Sequence, residues 1–181
     1  TYPEGVYMSQ KELVNKEPSK HYELLIREGG DGFSYNVKRV EKNVKPKVIR
    51  KRIWAISKDD TLYLNGYNIE FDYGRYFKVE HEGKYLLYQG GVPAEDAGLI
   101  AFGGGMVATA ISGMAKWLYA WNPKTGDNYK INKGVMEDWL KEMPQLLKEY
   151  KREPRPKDME VIIQYASLRN EAYESEAAER E

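Results

Sequence analysis

The apolar positions of this chain fall into three stretches with different periods. From His21 to Gln89 they come in short alternating runs broken by turn residues. Tyr22, Leu24 and Ile26 share one strand face. Gly29-Gly30-Asp31-Gly32 then turns the chain, and Phe33, Tyr35 and Val37 return. Period-two runs bounded by glycine and aspartate predict antiparallel hairpins. Val48–Ser57, Thr61–Asn65, Ile69–Tyr73, Arg75–His81 and Lys84–Gln89 extend the series, with breaks at Lys58-Asp59-Asp60, Gly66, Gly74 and Gly83. The second stretch, Gly98 to Ala120, is a long apolar run whose one charge is Lys116. In the third, Val135, Met136, Trp139, Leu140 and Met143 recur at helix spacing. Pro144 ends that helix and opens the next, Gln145 to Arg152. Asp158 caps a third helix that carries Met159, Ile162, Ile163, Ala166 and Tyr173 on one side.

Two local signals complete the pattern. Ser9-x-x-Glu12 reads as a capping box, with Met8 and Leu13 at the staple positions, and predicts a helix over Gln10–Asn15 that stops before Pro18. Lys116–Trp121 alternates, Asn122 to Asp127 turns through Pro123 and Gly126, and Asn128–Ile131 returns as a hairpin. The expected class is α+β: an antiparallel sheet of roughly seven to ten strands, with a short N-terminal helix and C-terminal helices. The sheet is a meander, a sandwich or a partly closed barrel. A β domain with flanking helices takes residues 1–152, and a linker with a helical appendage takes 153–181.

The central apolar stretch admits three readings. Ala97, Ala101, Gly105, Thr109 and Gly113 repeat at a spacing of four, which would make a small-residue helix face suited to close backbone packing. Residues Ala97 to Ala115 carry no charge, a length near the ~20 needed to span a bilayer, with Trp117, Tyr119 and Trp121 at an interface. Alternatively Gly103-Gly104-Gly105 turns a strand pair, because three glycines cost about 1 kcal/mol each within a helix. A glycine-rich loop is the third form. A packed soluble segment is favoured, and Ala101, Gly105, Thr109 and Gly113 are its candidates for self-association. Membrane contact through this segment is the competing expectation.

Composition narrows the picture. Twenty-eight basic residues balance 28 acidic ones, so the whole protein is not steered toward nucleic acid or acidic lipid. Without cysteine there is no disulfide, thiol nucleophile or thiolate metal site. The first residue is Thr1 and no signal-peptide pattern follows, which fits either an expressed fragment or a processed mature form. Aromatic residues make up 13%, with 15 tyrosines.

Candidate chemistry is sparse. His81 lies between Glu80 and Glu82, but neighbouring strand residues point to opposite faces. His21 reads as a second solvated strand residue, and no metal or cofactor is expected. Glu70 and Asp72 share a strand face and are the best carboxylate pair for acid/base work, ahead of Asp59-Asp60 and Glu95-Asp96. Ser112-Gly113 lacks a nucleophile-elbow context, and the glycines at 103–105 lack the lysine and hydroxyl of a phosphate loop. Tyr63, Tyr67, Tyr73 and Tyr76, with Tyr85 and Tyr88, are candidates for stacking on sugar rings. Lys38 to Arg52 holds eight basic residues against Glu41 alone. That run could meet phosphate or an anionic glycan. An exposed hairpin with lysines guarding an edge is the favoured reading, since Pro46 interrupts it and aromatic interleaving is missing.

The order of features resembles a family of uncharacterised exported proteins from Bacteroides-type gut bacteria. The resemblance rests on PEGVYMSQKELVNKEPS, RIWAISKDDTLYLNGYN and GRYFKVEHEGKYLLY, then a Gly-rich apolar stretch, WNPKTGDNYKIN and MEDWLKEMPQLLKEYK. It implies a secreted, periplasmic or cell-envelope location after loss of a signal sequence, and it brings no catalytic residues. The lipid-anchoring cysteine that many such proteins carry near the start is missing. The expected role is a non-catalytic binding or assembly module. The alternatives are carbohydrate binding or processing through the tyrosines with Glu70 and Asp72, and membrane association through residues 97–115.

Overall fold

The structure, a computed structural model, describes residues 1–40, 42, 44–69, 74–91 and 117–178. In chain order the elements are β1 (Gly5–Tyr7), α1 (Gln10–Asn15), β2 (Leu24–Glu28), β3 (Ser34–Arg39), α2 (Pro46–Lys51), β4 (Ala55–Lys58), β5 (Thr61–Asn65), β6 (Tyr76–His81) and β7 (Leu86–Gly90). There follow β8 (Trp117–Trp121), β9 (Asn128–Ile131), α3 (Lys133–Trp139), a tight turn at Leu140–Glu142, α4 (Pro144–Tyr150) and α5 (Met159–Ala178). The class is α+β, as the patterning predicts.

Nine antiparallel strands form one open sheet in the order β1-β4-β5-β6-β7-β8-β9, with β2 and β3 joined at β6. β6 is the branch. Tyr76 and Phe77 pair with Asn65 and Leu64 of β5, and also with Tyr35 and Ser34 of β3. Further along, Val79 and His81 pair with Tyr88 and Leu87 of β7 across a register irregularity. A strand has two edges, so β3 and β5 must flank the start of β6 from opposite sides.

The pleat sorts side chains onto two faces. On one, Tyr7, Leu64, Phe77, Leu86, Tyr88 and Trp121 belong to a single cluster that crosses both halves of the sheet and receives Leu13 of α1. On the other, two separate covers meet the sheet. Ile49 of α2 and the following Ile53 pack with Val6, Ile56 and Tyr76. Met136, Leu140, Tyr150 and Ile162 of the C-terminal helices pack with Leu87, Leu118, Ala120 and Ile131. The segment after the Glu153–Pro156 linker is tied in further by Asn170. Its side chain accepts from the Tyr85 N–H (3.0 Å) and donates to the carbonyls of Tyr85 (2.7 Å) and Glu82 (3.3 Å).

Local expectations fare unevenly. Ser9 caps α1 through the Glu12 N–H, but the Glu12 carboxylate accepts from the N–H of Met8, one residue before the cap. The staple does not form, because Leu13 and Met8 pack into different clusters. The 122–127 hairpin forms as predicted, with Gly126 at φ 84°. The strand expected over Val48–Ser57 is corrected: α2 occupies its first part and only Ala55–Lys58 is extended. Pro46 at the first helical turn presets that helix, and Arg50 and Lys51 in its last turn oppose the helix dipole. The helix or strand alternatives for 97–115, and the strand expected at Ile69–Tyr73 beyond Ile69, lie outside the described residues.

Candidate cationic binding groove

The basic run Lys38–Arg52 does not fold as a hairpin. Its first two residues end β3, and its last seven contain α2, which lies beside β3 over the sheet. Ile49 is the anchor: it is buried at 4% exposure, and it fixes which faces of so short a helix remain in water. Ile49 and Pro46 face β3, so Arg50 comes to stand across a groove from Lys38 and Arg39. The groove has a volume of about 410 Å³, with Val37 and Ile49 contributing apolar floor. Gly74 lines it beside Arg50, whose Cδ lies 3.8 Å from where a Cβ would be.

The polar anchors that shape the groove come from backbone carbonyls. Arg39 donates to the carbonyls of Val44 (3.1 Å) and Lys42 (3.4 Å), which folds the loop back toward β3. Buried Asn65 donates to the carbonyls of Ile49, Arg50 and Ile53 at 3.2, 3.2 and 2.6 Å and so holds the end of α2. The Tyr76 hydroxyl donates to the same Ile49 carbonyl at 2.6 Å. Burial pushes the Tyr76 phenol well up, so it stays a donor.

Among the described residues the charges of the site have one sign. Lys38, Arg39, Lys42, Lys45, Lys47, Arg50, Lys51 and Arg52 are all exposed. None forms an ion pair with a described residue. Lys51 instead sits 5.2 Å from the centroid of the Tyr67 ring. No described carboxylate lines the groove. Such an arrangement binds anions: guanidinium groups can take a carboxylate or sulfate two-pronged, and the lysines act as point charges.

The sequence-predicted site residues separate in space. Tyr63 packs edge-to-face on Tyr35 at 5.0 Å and keeps part of its ring accessible on the face that α2 covers. Tyr67 lies against Lys51, at the end of α2. Tyr76 is 1% exposed and Tyr88 is fully buried, its hydroxyl donating to Asn128 at 3.1 Å. Neither can present a ring to a sugar, and their burial corrects the surface placement expected for them. Asp59 and Asp60 form the exposed two-residue turn between β4 and β5. Glu70, Asp72, Tyr73, Glu95 and Asp96 lie outside the described residues, as do Ala101, Gly105, Thr109 and Gly113. Among the described residues no three His, Asp or Glu side chains stand together as metal ligands, and no helix is long and apolar enough to cross a membrane.

Sequence reasoning missed Arg50 as the partner of Lys38 and Arg39 across a groove, and missed the floor made by Val37 and Ile49. The available signal was Pro46 followed by Val48-Ile49 and a basic triplet, the order of a short helix opened by proline and closed by basic residues.

Residues 5–173 match a family of unknown function, DUF6563. No curated protein matches the chain, and no solved structure does.

Proposed function

The chain belongs to this family, and from that premise we propose that it is a non-catalytic binding module of the cell envelope that holds an acidic polysaccharide along the groove between β3 and α2. The observation that carries the reading is the set of eight exposed cations with no ion-pair partner among the described residues, in a protein whose total charge is balanced. Mixed surfaces neutralise themselves locally; a concentration of one sign creates a field that attracts the other. The cations also run past the groove. Lys42, Lys45 and Lys47 precede Arg50 and Lys51 and Arg52 follow it, which suits a polymer of repeated carboxylate or sulfate better than one small anion. Val37 and Ile49 offer apolar floor to sugar rings, and Tyr67 beside Lys51 offers an aromatic rim. The cell-envelope location follows the resemblance of the sequence to exported proteins.

The test is affinity electrophoresis and calorimetry with polygalacturonate and chondroitin sulfate, using dextran as the neutral control. Retention on both acidic polymers and not on dextran is expected, weakening as salt rises. Arg50→Glu with Lys51→Glu should abolish retention, since both side chains are exposed and their exchange leaves the core intact. Equal retention on dextran, or an unchanged double variant, would sink the proposal.

A further inference from the structure

A second concave site lies between the β8–β9 hairpin and the start of α5. It is a cleft of about 460 Å³. Its apolar wall is Trp117, Ile131, Met159 and Ile162, and the charged side chains on its rim are Lys133 and Lys157. Ile131 and Ile162 belong to the buried cluster beneath the C-terminal helices, so the wall is anchored in the core. Volume and lining both fall in the range of small-molecule sites.

Three details define what would fit. The charged side chains that line the cleft are both lysines, and no described carboxylate lines it. Lys157 forms no ion pair among the described residues, and Lys133 pairs with the half-buried Glu137 at 3.5 Å. Lys130 stacks on the Trp117 ring at 3.2 Å from its centroid, outside the lining of the cleft. The Trp117 indole Nε1 is buried and has no hydrogen-bond acceptor among the described residues. An indole N–H is a donor only, so an acceptor oxygen is the complement it lacks.

We infer that this cleft binds an amphiphilic monoanion, a medium-chain carboxylate whose tail lies on Trp117, Ile131, Met159 and Ile162 and whose head group meets Lys133 and Lys157. The site is independent of the polyanion groove: it takes a chain with one charged end, where the groove takes repeated charge and little tail.

Decanoate is the probe, measured by calorimetry and by tryptophan fluorescence, with decanol as the uncharged counterpart. Decanoate should bind with one-to-one stoichiometry and more tightly than decanol. Each buried methylene is worth about fourfold in affinity, so octanoate should bind on the order of tenfold more weakly. Lys133→Glu with Lys157→Glu should bring decanoate down to the level of decanol while the fold is kept, because both lysines are exposed. Gly134→Phe should plug the mouth: a Cβ there meets only Asn132 Oδ1, at 3.4 Å, so the backbone can accept it. Failure of decanoate to bind overturns the inference. So does binding no tighter than decanol, or binding that survives both the charge reversal and the plug in variants whose circular dichroism is native.

Discussion

At the scale of single residues, the turn between β2 and β3 shows how one side chain can fix a strand pair. Asp31 Oδ1 accepts from the N–H groups of Phe33 (3.1 Å) and Ser34 (2.8 Å). Its Oδ2 accepts from the Ser34 hydroxyl at 2.6 Å and from the Arg75 guanidinium just ahead of β6. Burial alone would raise this carboxyl, but the Ser34 and Phe33 hydrogen bonds and the Arg75 charge hold it below the usual carboxylate range. A folded-state value below the unfolded one stabilises above about pH 4, and that contribution is lost as pH falls through the folded value. Asp31→Asn should therefore cost about 1–3 kcal/mol at neutral pH, measured by urea unfolding, and the gap to wild type should close below about pH 4. A gap independent of pH would show that the charge is not what matters. The sequence marks this turn clearly through Gly29-Gly30-Asp31-Gly32, yet it cannot reveal that the aspartate reaches Arg75, 44 positions on. A second residue-scale prediction concerns Asp59 and Asp60. Both have left-handed φ, 50° and 55°, in a two-residue hairpin turn closed by the Lys58–Thr61 pair. Such turns favour Asn-Gly. Exchanging the two aspartates for Asn-Gly should raise stability by about 1 kcal/mol, read as a higher urea midpoint with an unchanged slope.

At the scale of elements, the same chain shows where patterning reads well and where it fails. Hairpins and capped helices were legible, because their signals lie within a few residues: Ser9 with Glu12, Asn122 through Gly126, Pro144 opening α4. α2 was not legible as a helix. Val48, Ile49, Ile53 and Ile56 are β-branched, and their spacing serves a strand nearly as well as one helical turn followed by a strand. The groove is hidden with it, since only a helix brings Arg50 opposite Lys38 and Arg39. The docking of α5 was hidden for a different reason: Asn170 satisfies backbone groups of the β6–β7 connection, and no local pattern announces such a long-range pairing. Gly83 lies where a Cβ would come within 2.6 Å of the Asn170 side chain, so the close approach requires glycine there. Asn170 is 2% exposed, and its removal leaves the Tyr85 N–H without this acceptor. Asn170→Ala should cost about 2 kcal/mol in urea unfolding. Fluorescence and circular dichroism should still report one coincident transition, because α5 shares its cluster with β7 and β8. Separate transitions by the two probes would mean that α5 unfolds on its own.

At the scale of the whole molecule, the three apolar clusters are coupled through one sheet, and each contains a deeply placed phenol. Tyr7 and Tyr88 lie in the cluster that spans the sheet, Tyr76 in the one beneath α2, and Tyr165 in the one beneath the C-terminal helices. Burial, with a smaller contribution from Glu82, pushes Tyr7 up to about 12. Burial and then the Glu153 carboxylate do the same for Tyr165, also to about 12. Tyr76 and Tyr88 are driven up by burial as well, with the Asn128 bond to Tyr88 pulling weakly the other way. A raised folded-state value means that the neutral phenols stabilise the fold fully below about pH 10, and that this stability drains away as pH climbs toward the folded value. Because the sheet joins the clusters, loss at one should bring down the others. The protein should therefore unfold in a single alkaline step between about pH 10 and 12. Exposed tyrosines should ionise before that step and the buried ones only within it, so that tyrosinate absorbance shows a delayed rise coincident with the loss of the β-sheet signal in circular dichroism. Smooth ionisation of all 15 tyrosines near pH ~10 with the sheet signal intact would contradict this packing. Two steps would mean that the α2 side and the C-terminal helical side of the sheet are independent units, despite the strand β6 that they share.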